Sequence, residues 1–166
     1  MGDIACSDQF RWFLGGWIAH AAEFMPFYAP NVNSYKRYQP GSWAPTTLAW
    51  SRDNRTAGFR LCGAGTESVR IECRIGGSDM NPYLAIAAQI AAGLAGIENK
   101  LELDEPAKGD VYQGDTKMIP ENLRDAKFAL AQSKMLKSAF GEDVVKHYCR
   151  AAEVELEEFD LSLIHI

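Results

Sequence analysis

The stretch VRIECRI, residues 69–75, constrains the fold most, because its charged and apolar residues alternate strictly. Side chains of a β-strand point alternately to opposite faces, so this pattern predicts a strand with one apolar and one charged face. The charged face contains two arginines and one carboxylate, and no lysine: Arg70, Glu72 and Arg74. We therefore expect the strand to cover a core on one side and to present guanidinium groups on the other.

Two segments before this stretch also alternate, namely TTLAWSRDN (46–54) and TAGFRLCG (56–63), and the turn GAGTE follows them. Period-2 segments separated by turn residues predict two or three antiparallel strands. If the second and third strands pair as a hairpin, Arg60 lies near the row formed by Arg70, Glu72 and Arg74. With Arg37 and Arg55 at or just before the strand region, five arginines would converge on one carboxylate.

Helical spacing of apolar residues predicts a helix from Ser7 to about Met25, with Ser7 as its N-cap. Asn81 and Pro82 form a helix start, and the apolar residues that follow, as far as Ile97, predict a buried helix. Two further helices are expected at 121–138 and 142–160, whereas 28–45 and 99–120 are expected to be irregular. The predicted class is α+β, with short antiparallel strands packed with helices.

Composition excludes several classes of protein. The 166 residues are 47% hydrophobic, which is too apolar for a disordered chain, and the net charge of −5 argues against nucleic-acid binding. The longest apolar run, 84–97, is too short to span a bilayer, so no membrane association is expected. Four cysteines without zinc-site spacing, and no secretory signal, predict reduced thiols in a cytoplasmic protein.

The arginine–carboxylate face has two interpretations. It is either a solvent-facing ion-pair ladder, which contributes little stability, or an anion site. Guanidinium groups bind phosphate and carboxylate oxygens in pairs, and a carboxylate among them could bind Mg²⁺ that bridges phosphates. A solvated ladder typically uses Lys and Glu, so the absence of lysine slightly favours a site.

Four motifs, in this order and spacing, resemble the C-terminal half of the type I glutamine synthetase catalytic domain. They are NVNSYKRYQPGSWAP (31–45), NRTAGFR (54–60), VRIECR (69–74) and NPYLAIAAQIAAGLAGIENKLEL (81–103). The resemblance covers most of residues 10–160. It implies an enzyme that uses ATP and a divalent metal, Mg²⁺ or Mn²⁺, to form γ-glutamyl phosphate, which an amine then attacks.

The resemblance also assigns roles to individual residues. It implies that Arg37 and Arg74 bind substrate glutamate and that Arg55 lies at the transferring phosphate. It also implies that Arg60 and Arg70 lie beside ATP and that Glu72 binds the metal. Arg55 is the predicted catalytic residue and also contacts the nucleotide. Phosphoryl transfer depends mainly on positioning and charge neutralisation, which agrees with an arginine-rich face.

The loop PGSWAP departs from the pattern of ammonia-using members, which carry Glu where this chain has Trp43. An indole cannot take a proton from ammonium, but it can pack against an alkyl or cationic chain. This form of the loop resembles the γ-glutamylpolyamine synthetase-like branch, so we expect a polyamine or other primary amine as acceptor. The alternatives are that Trp43 merely fills space, and that the enzyme uses ammonia.

The resemblance further implies a homo-oligomer of the dodecamer type and places residues 1–166 in only part of a catalytic domain. The β-grasp domain and the first half of the catalytic domain would lie upstream, so the isolated chain is expected to be inactive and poorly soluble. The ending at 161–166 departs from the family, and Tyr112 lies near a family adenylylation position without its usual flanks. Tyr112 is therefore interpreted as an ordinary loop tyrosine. A rival of another class is a non-catalytic structural or interaction protein of this fold.

Overall fold

A computed structural model describes residues 6–113 and 116–163. The chain divides into two compact units, each assembled from three separate segments. The first comprises Met1–Ala21, Tyr38–Ile75 and Ala92–Ile119, and the second comprises Ala22–Arg37, Gly76–Ala91 and Pro120–Ile166.

Helices and a small three-stranded sheet make up the described chain, and this confirms the predicted α+β class. The helices are α1 (Asp8–His20), α2 (Met25–Tyr28), α3 (Pro82–Glu98), α4 (Leu123–Gln132), α5 (Lys134–Phe140) and α6 (Glu142–Leu163), with 3₁₀ turns at Val32–Arg37 and Val111–Gln113. The strands are β1 (Trp50–Arg52), β2 (Phe59–Cys62) and β3 (Arg70–Cys73).

Strands β2 and β3 pair antiparallel, as predicted, with Arg60 opposite Glu72. The prediction for β1 is wrong, because β1 runs parallel to β2, with Trp50 opposite Phe59. Parallel neighbours usually need a long crossover, so the short connection between β1 and β2 gave no indication of a parallel pair. These strands are so short, about 10 Å, that the extended reach of residues 53–58 is enough to bring the chain back to the start of β2.

The irregular segment 99–120 lies alongside the residues that lead into β1. The Leu48 amide donates to the Lys117 carbonyl at 2.8 Å, and the Ile119 amide donates to the Thr46 carbonyl at 3.0 Å. The Ala107 amide donates to the Trp50 carbonyl at 2.9 Å. Backbone hydrogen bonds to this first unit thus hold a segment that has no periodic sequence pattern of its own.

Helix α1 begins as predicted, because the Ser7 hydroxyl accepts a hydrogen bond from the Phe10 amide at 3.2 Å. It ends at His20, five residues before the predicted end at Met25. Within the first unit, α1 approaches the last turns of α3 at two glycines. A Cβ at Gly16 would lie 2.8 Å from the Gly96 Cα and 2.0 Å from the Ala92 carbonyl oxygen, so a side chain at Gly16 would force the helices apart.

The N-cap at Asn81 is confirmed, because its side chain accepts from the Tyr83 amide at 3.0 Å. The prediction that α3 is buried all round is wrong. Ala85 and Ala88 are buried, whereas Ile86 is 56% exposed and Ile90 is also exposed. Alanine is small enough for close packing, so the face of the helix that carries these alanines packs against the core, while Ile86 and Ile90 lie on an exposed face.

In the second unit, the helix predicted at 121–138 is divided at Ser133 into α4 and α5. The Ser133 hydroxyl caps α5 by accepting from the Leu136 amide at 2.9 Å. Phe27 of α2 packs edge-to-face on Tyr148 of α6, with ring centroids 5.2 Å apart, in the core of this unit. Helix α6 extends the predicted 142–160 by three residues, and the second half of the divergent ending, 164–166, lies outside the described residues.

Candidate functional site

Glu72 lies at the centre of an ion-pair cluster on the charged face of β2 and β3. Its Oε2 atom lies 3.2 Å from Nη1 of Arg60, and its Oε1 atom lies 3.3 Å from Nη1 of Arg74. The antiparallel register places Arg60 directly opposite Glu72, while Arg74 follows two residues later on the same face. The grouping predicted from strand periodicity is therefore confirmed for these three residues.

The two arginines of this cluster are largely enclosed. The side chains of Arg60 and Arg74 are 20% and 17% exposed, against 43% for Glu72. The Nε atoms of both arginines are buried and have no hydrogen-bond partner among the described residues. Buried donors are nearly always paired, so two unpaired guanidinium N–H groups on one face are an exception to the usual pairing.

Electrostatics keep Arg60 charged. The hydrogen bond to Glu72 raises the pKa of the Arg60 guanidinium above its ordinary value, and this effect outweighs the opposing effect of burial. The carboxylates of Glu72 and Asp53 add to it through their charge. Arg60 therefore carries a full positive charge at any working pH, as an anion-binding group must.

Sequence reasoning missed Asp53, whose Oδ1 atom lies 3.2 Å from Nη2 of Arg60. Asp53 is the first residue after β1 and adopts a left-handed backbone with φ of 46°. Aspartate is one of the few residues that tolerate this conformation, and this is the sequence signal that could have pointed to a turn here. Strand parity cannot place a side chain in a turn, so its contact with Arg60 was not predictable.

Arg70 and Arg55 do not join the cluster, so the predicted convergence of five arginines on Glu72 is wrong for these two. The Arg70 guanidinium donates to the Ser68 carbonyl at 3.1 Å, and Arg55 is exposed. Within residues 6–113 and 116–163, no ion pair joins either of them to Glu72. Arg70 lies opposite Cys62, two pairs further along the strands than Glu72, and Arg55 lies in the turn between β1 and β2.

Both sequence neighbours of Arg55, Asn54 and Thr56, form hydrogen bonds that hold the turn in place. The Asn54 side chain accepts from the Thr56 amide at 3.0 Å and donates to the Gly109 carbonyl at 2.7 Å. The Thr56 hydroxyl accepts from the Val111 amide at 3.1 Å. Arg55 is thus an exposed cation on a backbone that is held by its neighbours.

Trp43 is held in an exposed position on the PGSWAP loop. Its side chain is 65% exposed, and its backbone is left-handed with φ of 62°, which is unusual for a bulky residue. The Nη2 atom of Arg74 donates to the Trp43 carbonyl at 2.9 Å. One arginine thus connects this loop to the Glu72 cluster, and both the predicted role of Trp43 toward the amine and the alternative that it merely fills space stay predictions.

Arg37 belongs to the second unit, at the end of the 3₁₀ turn Val32–Arg37. It contributes charge to the environment of Asp79. Burial would raise the pKa of the Asp79 carboxyl, but hydrogen bonds from Ser34 and Asn31, with the charge of Arg37, hold this pKa below its ordinary value. The predicted role of Arg37 toward glutamate stays a prediction.

The residues present fit part of a metal site. Magnesium is usually bound through one or two carboxylates together with substrate phosphates, and Glu72 offers one carboxylate beside two arginines. No group of three or more His, Cys, Asp or Glu side chains that could hold a metal occurs in the part of the chain that the structure describes. Glu72 can therefore serve as one ligand of a set, together with phosphate oxygens and ligands from other residues.

The sequence matches the family model for the glutamine synthetase catalytic domain over residues 1–165. The chain belongs to the glutamine synthetase family. The resemblance inferred from the four motifs is thereby confirmed. The arginine–carboxylate face therefore belongs to a catalytic-domain fold whose family includes ATP-dependent ligases that form C–N bonds.

Two relatives within the glutamine synthetase family act on amines according to their names. The gamma-glutamylethanolamide synthetase of Streptomyces coelicolor is 50% identical over 157 residues, which cover 95% of this chain and 34% of that protein. The glutamate–isopropylamine ligase of a Pseudomonas species is 38% identical over 149 residues, covering 88% of this chain and 32% of that protein. The chain thus spans about a third of the length of these relatives.

A solved structure supports the same assignment. The GmaS/ADP complex superposes with a TM-score of 0.84 at 30% identity, covering 96% of this chain and 38% of that one. Among the described residues of this glutamine synthetase family member, no helix is long and apolar enough to cross a membrane.

Proposed function

We propose that this chain is part of an ATP-dependent ligase that joins the γ-carboxyl group of glutamate to a primary amine larger than ammonia. The observation that carries the proposal is the exposed, backbone-strained Trp43, whose carbonyl is held by an arginine of the Glu72 cluster. The activity belongs to a full-length protein, because the chain spans about a third of its relatives' length.

The reaction has two group transfers. A γ-carboxylate oxygen of glutamate attacks the terminal phosphorus of ATP, so that a new O–P bond forms and ADP leaves. The amine nitrogen then attacks the activated acyl carbon, inorganic phosphate leaves, and the nitrogen loses a proton. Both steps develop negative charge on oxygens, which fixed positive groups stabilise.

The cluster is suited to the phosphate half of this reaction. In the proposal, Arg60 and Arg70 bind ATP, Arg55 neutralises the transferring phosphate, and Glu72 is one ligand of Mg²⁺ or Mn²⁺. A divalent cation at Glu72 would supply charge neutralisation to the phosphate oxygens. The permanent charge of Arg60 supports this assignment, because the hydrogen bond to Glu72 raises the pKa of its guanidinium and an anion-binding group must stay protonated.

Arg37 and Arg74 are assigned to glutamate. The support for Arg74 is that its guanidinium is largely enclosed and contacts both Glu72 and the carbonyl of Trp43. A carboxylate bound by this guanidinium would form a charge-assisted hydrogen bond.

Trp43 is assigned to the amine. Its exposed indole offers an apolar surface to an alkyl chain and a π-face to a cationic group, and it has no acid or base that could act on ammonium. The two amine-using relatives, one forming an ethanolamide and one using isopropylamine, support an acceptor of this class. Ethanolamine, putrescine and spermidine are the candidates to try first.

The test compares acceptors in the full-length protein by phosphate release from ATP with saturating glutamate. We expect faster turnover with ethanolamine, putrescine or spermidine than with ammonia. Trp43→Glu should shift the preference towards ammonia by about 10-fold, the effect of one charged contact. Trp43→Phe is the matched control and should keep the preference for the larger amine.

Two results would contradict the proposal. Equal or faster turnover with ammonia would favour the alternative of an ammonia-using glutamine synthetase. No ATP-dependent phosphate release with any acceptor would favour a non-catalytic protein of this fold. The homo-oligomeric state and the cytoplasmic location expected from the sequence stay predictions, to be measured by mass photometry and fractionation.

A further inference from the structure

We propose that Tyr112 is a positioning residue that fixes the Trp43 loop for selection of the amine. The inference rests on the proposed function and deepens it, because it names the group that holds the amine-contacting side chain in place. The hydroxyl of Tyr112 donates a hydrogen bond of 2.7 Å to the carbonyl of Ala44, the residue after Trp43.

Two consecutive carbonyls of the loop are held by side chains. Arg74 donates to the Trp43 carbonyl at 2.9 Å, and Tyr112 donates to the Ala44 carbonyl at 2.7 Å. Ala44 itself is buried, whereas Gly41, Ser42 and Trp43 are exposed. The two peptide groups on either side of Ala44 are thus each held through their carbonyl oxygen, while the indole of Trp43 is exposed.

The left-handed backbone of Trp43 explains why the loop needs these donors. A non-glycine residue in this conformation is less stable by about 1–2 kcal/mol than in the β or right-handed region. It persists only where the surroundings fix it, and Arg74 and Tyr112 provide two such constraints. Without the Tyr112 hydroxyl, the loop could relax and the indole would move relative to the cluster.

The segment that contains Tyr112 is itself anchored. The Tyr112 amide donates to the Asp110 side chain at 3.0 Å, and the Val111 amide donates to the Thr56 hydroxyl at 3.1 Å. Thr56 lies next to Arg55, so one short 3₁₀ turn contacts both the Arg55 turn and the Trp43 loop. Tyr112 therefore connects the phosphate end of the proposed site to its amine end.

The hydroxyl remains a donor under working conditions. Burial raises the pKa of Tyr112 above its ordinary value, and the nearby Asp110 charge raises it further, against a smaller lowering effect of Arg74. The phenol is thus protonated at neutral pH and can donate to Ala44.

Tyr112→Phe in the full-length protein tests the inference, because it removes the hydroxyl and keeps the ring. We expect the KM for the preferred amine to rise about 10-fold, while kcat and the KM values for glutamate and ATP change less than about twofold, since one hydrogen bond is lost at one subsite. Tyr83→Phe is the matched control, because Tyr83 is exposed and its hydroxyl forms no hydrogen bond with the residues that the structure describes. It should leave all three KM values unchanged.

Hydrogen exchange of the same preparations supplies a physical readout. Peptides that cover residues 42–46 should exchange faster in Tyr112→Phe than in wild type, whereas those from β2 and β3 should not. Unchanged exchange at 42–46, an unchanged amine KM, or an equal rise of all three KM values would each overturn the inference and leave the proposed function standing. Faster wild-type turnover with ammonia would instead overturn the proposed function, and this inference with it.

Discussion

Among the described residues, arginine and glutamate form a cluster on the sheet of the first unit and another on α6 of the second unit. On α6, Arg150 contacts Glu153 at 3.2 Å and Glu157 at 3.0 Å, and its side chain is 60% exposed. On the sheet, Arg60 and Arg74 are mostly enclosed, and each has a buried Nε without a partner among the described residues. Residue types and distances are nearly the same in both clusters.

The difference lies in enclosure and in unmet hydrogen bonding. Water and salt compete for the charges of an exposed ion pair, so the α6 cluster contributes little stability. Its charges are already solvated and do not require a further ligand. The sheet cluster holds charges that water solvates poorly and donors that nothing in the described chain satisfies. Charge type alone therefore does not distinguish the two clusters, whereas enclosure and unmet hydrogen bonding do.

The largest effect is expected at Arg74. In the full-length protein, Arg74→Ala should weaken kcat/KM for glutamate by about 2–5 kcal/mol, because it strips one partner from an enclosed charged pair. This corresponds to about 30-fold to a few thousand-fold. Arg150→Ala, the matched change on α6, should leave glutamate kinetics unchanged. Similar effects of the two substitutions would remove the distinction between the clusters.

A second comparison sets Arg60 of the sheet cluster against Arg150 of the α6 cluster, and it measures nucleotide binding rather than turnover. Saturation of the full-length protein with Mg–ATP to about 10 times its Kd should stabilise it by about 1.4 kcal/mol. Thermal denaturation should show a rise of a few degrees in wild type and in Arg150→Ala. In Arg60→Ala this rise should be largely lost, and an undiminished rise would exclude Arg60 from the nucleotide site.

The two clusters should also differ in how much each contributes to the free energy of unfolding. Glu72→Gln leaves two arginines without their carboxylate and should lower the free energy of unfolding by about 1 kcal/mol, a value reduced for the partial exposure of Glu72. Glu157→Gln should cost less than about 0.5 kcal/mol. Urea unfolding at low and high salt measures both, and salt should reduce only the Glu157 effect. Equal salt sensitivity would indicate that the sheet cluster is as solvated as the α6 cluster.

The smallest effect concerns the pH dependence of the α6 cluster. Hydrogen bonds from Lys127 and Arg150 lower the pKa of the Glu153 carboxyl below its ordinary value of 4.5. A carboxyl with a lowered folded-state pKa contributes stability above its unfolded pKa and loses it as the pH falls through the folded value. Glu153→Gln should therefore flatten the fall in stability below pH 4.5, measured by urea unfolding from pH 6 to 3. Glu158→Gln on the same helix is the control, and a flattening of the same size there would refute the assignment.

Sequence periodicity predicted the Arg60–Glu72–Arg74 grouping because strand parity fixes which side chains share a face. It could not predict that β1 runs parallel to β2, since the direction of a three-residue strand depends on the path of the connecting turn. Asp53 and Tyr112 were missed or set aside for a related reason. Their contacts are made by turns and loops, where no period relates position along the chain to direction in space.

Apolar content was also a poor guide to burial in α3. A helix with alanine on one face and isoleucine on another looks uniformly apolar, yet within the described chain Ala85 and Ala88 are buried while Ile86 and Ile90 are exposed. The family resemblance supplied what periodicity could not, because motif order and spacing identified Trp43 as a departure from the ammonia-using pattern. It could not reveal that this residue adopts a left-handed backbone.

The backbone at Trp43 has a consequence for laboratory evolution of this protein. Glycine adopts a φ of 62° without the penalty that tryptophan incurs, so Trp43→Gly relieves about 1 kcal/mol of local strain. A selection for heat resistance alone would therefore enrich glycine at this position. Under the proposed function, the selected variants would be more stable to heat but would no longer discriminate between amine acceptors, unless the screen also selects for product formation.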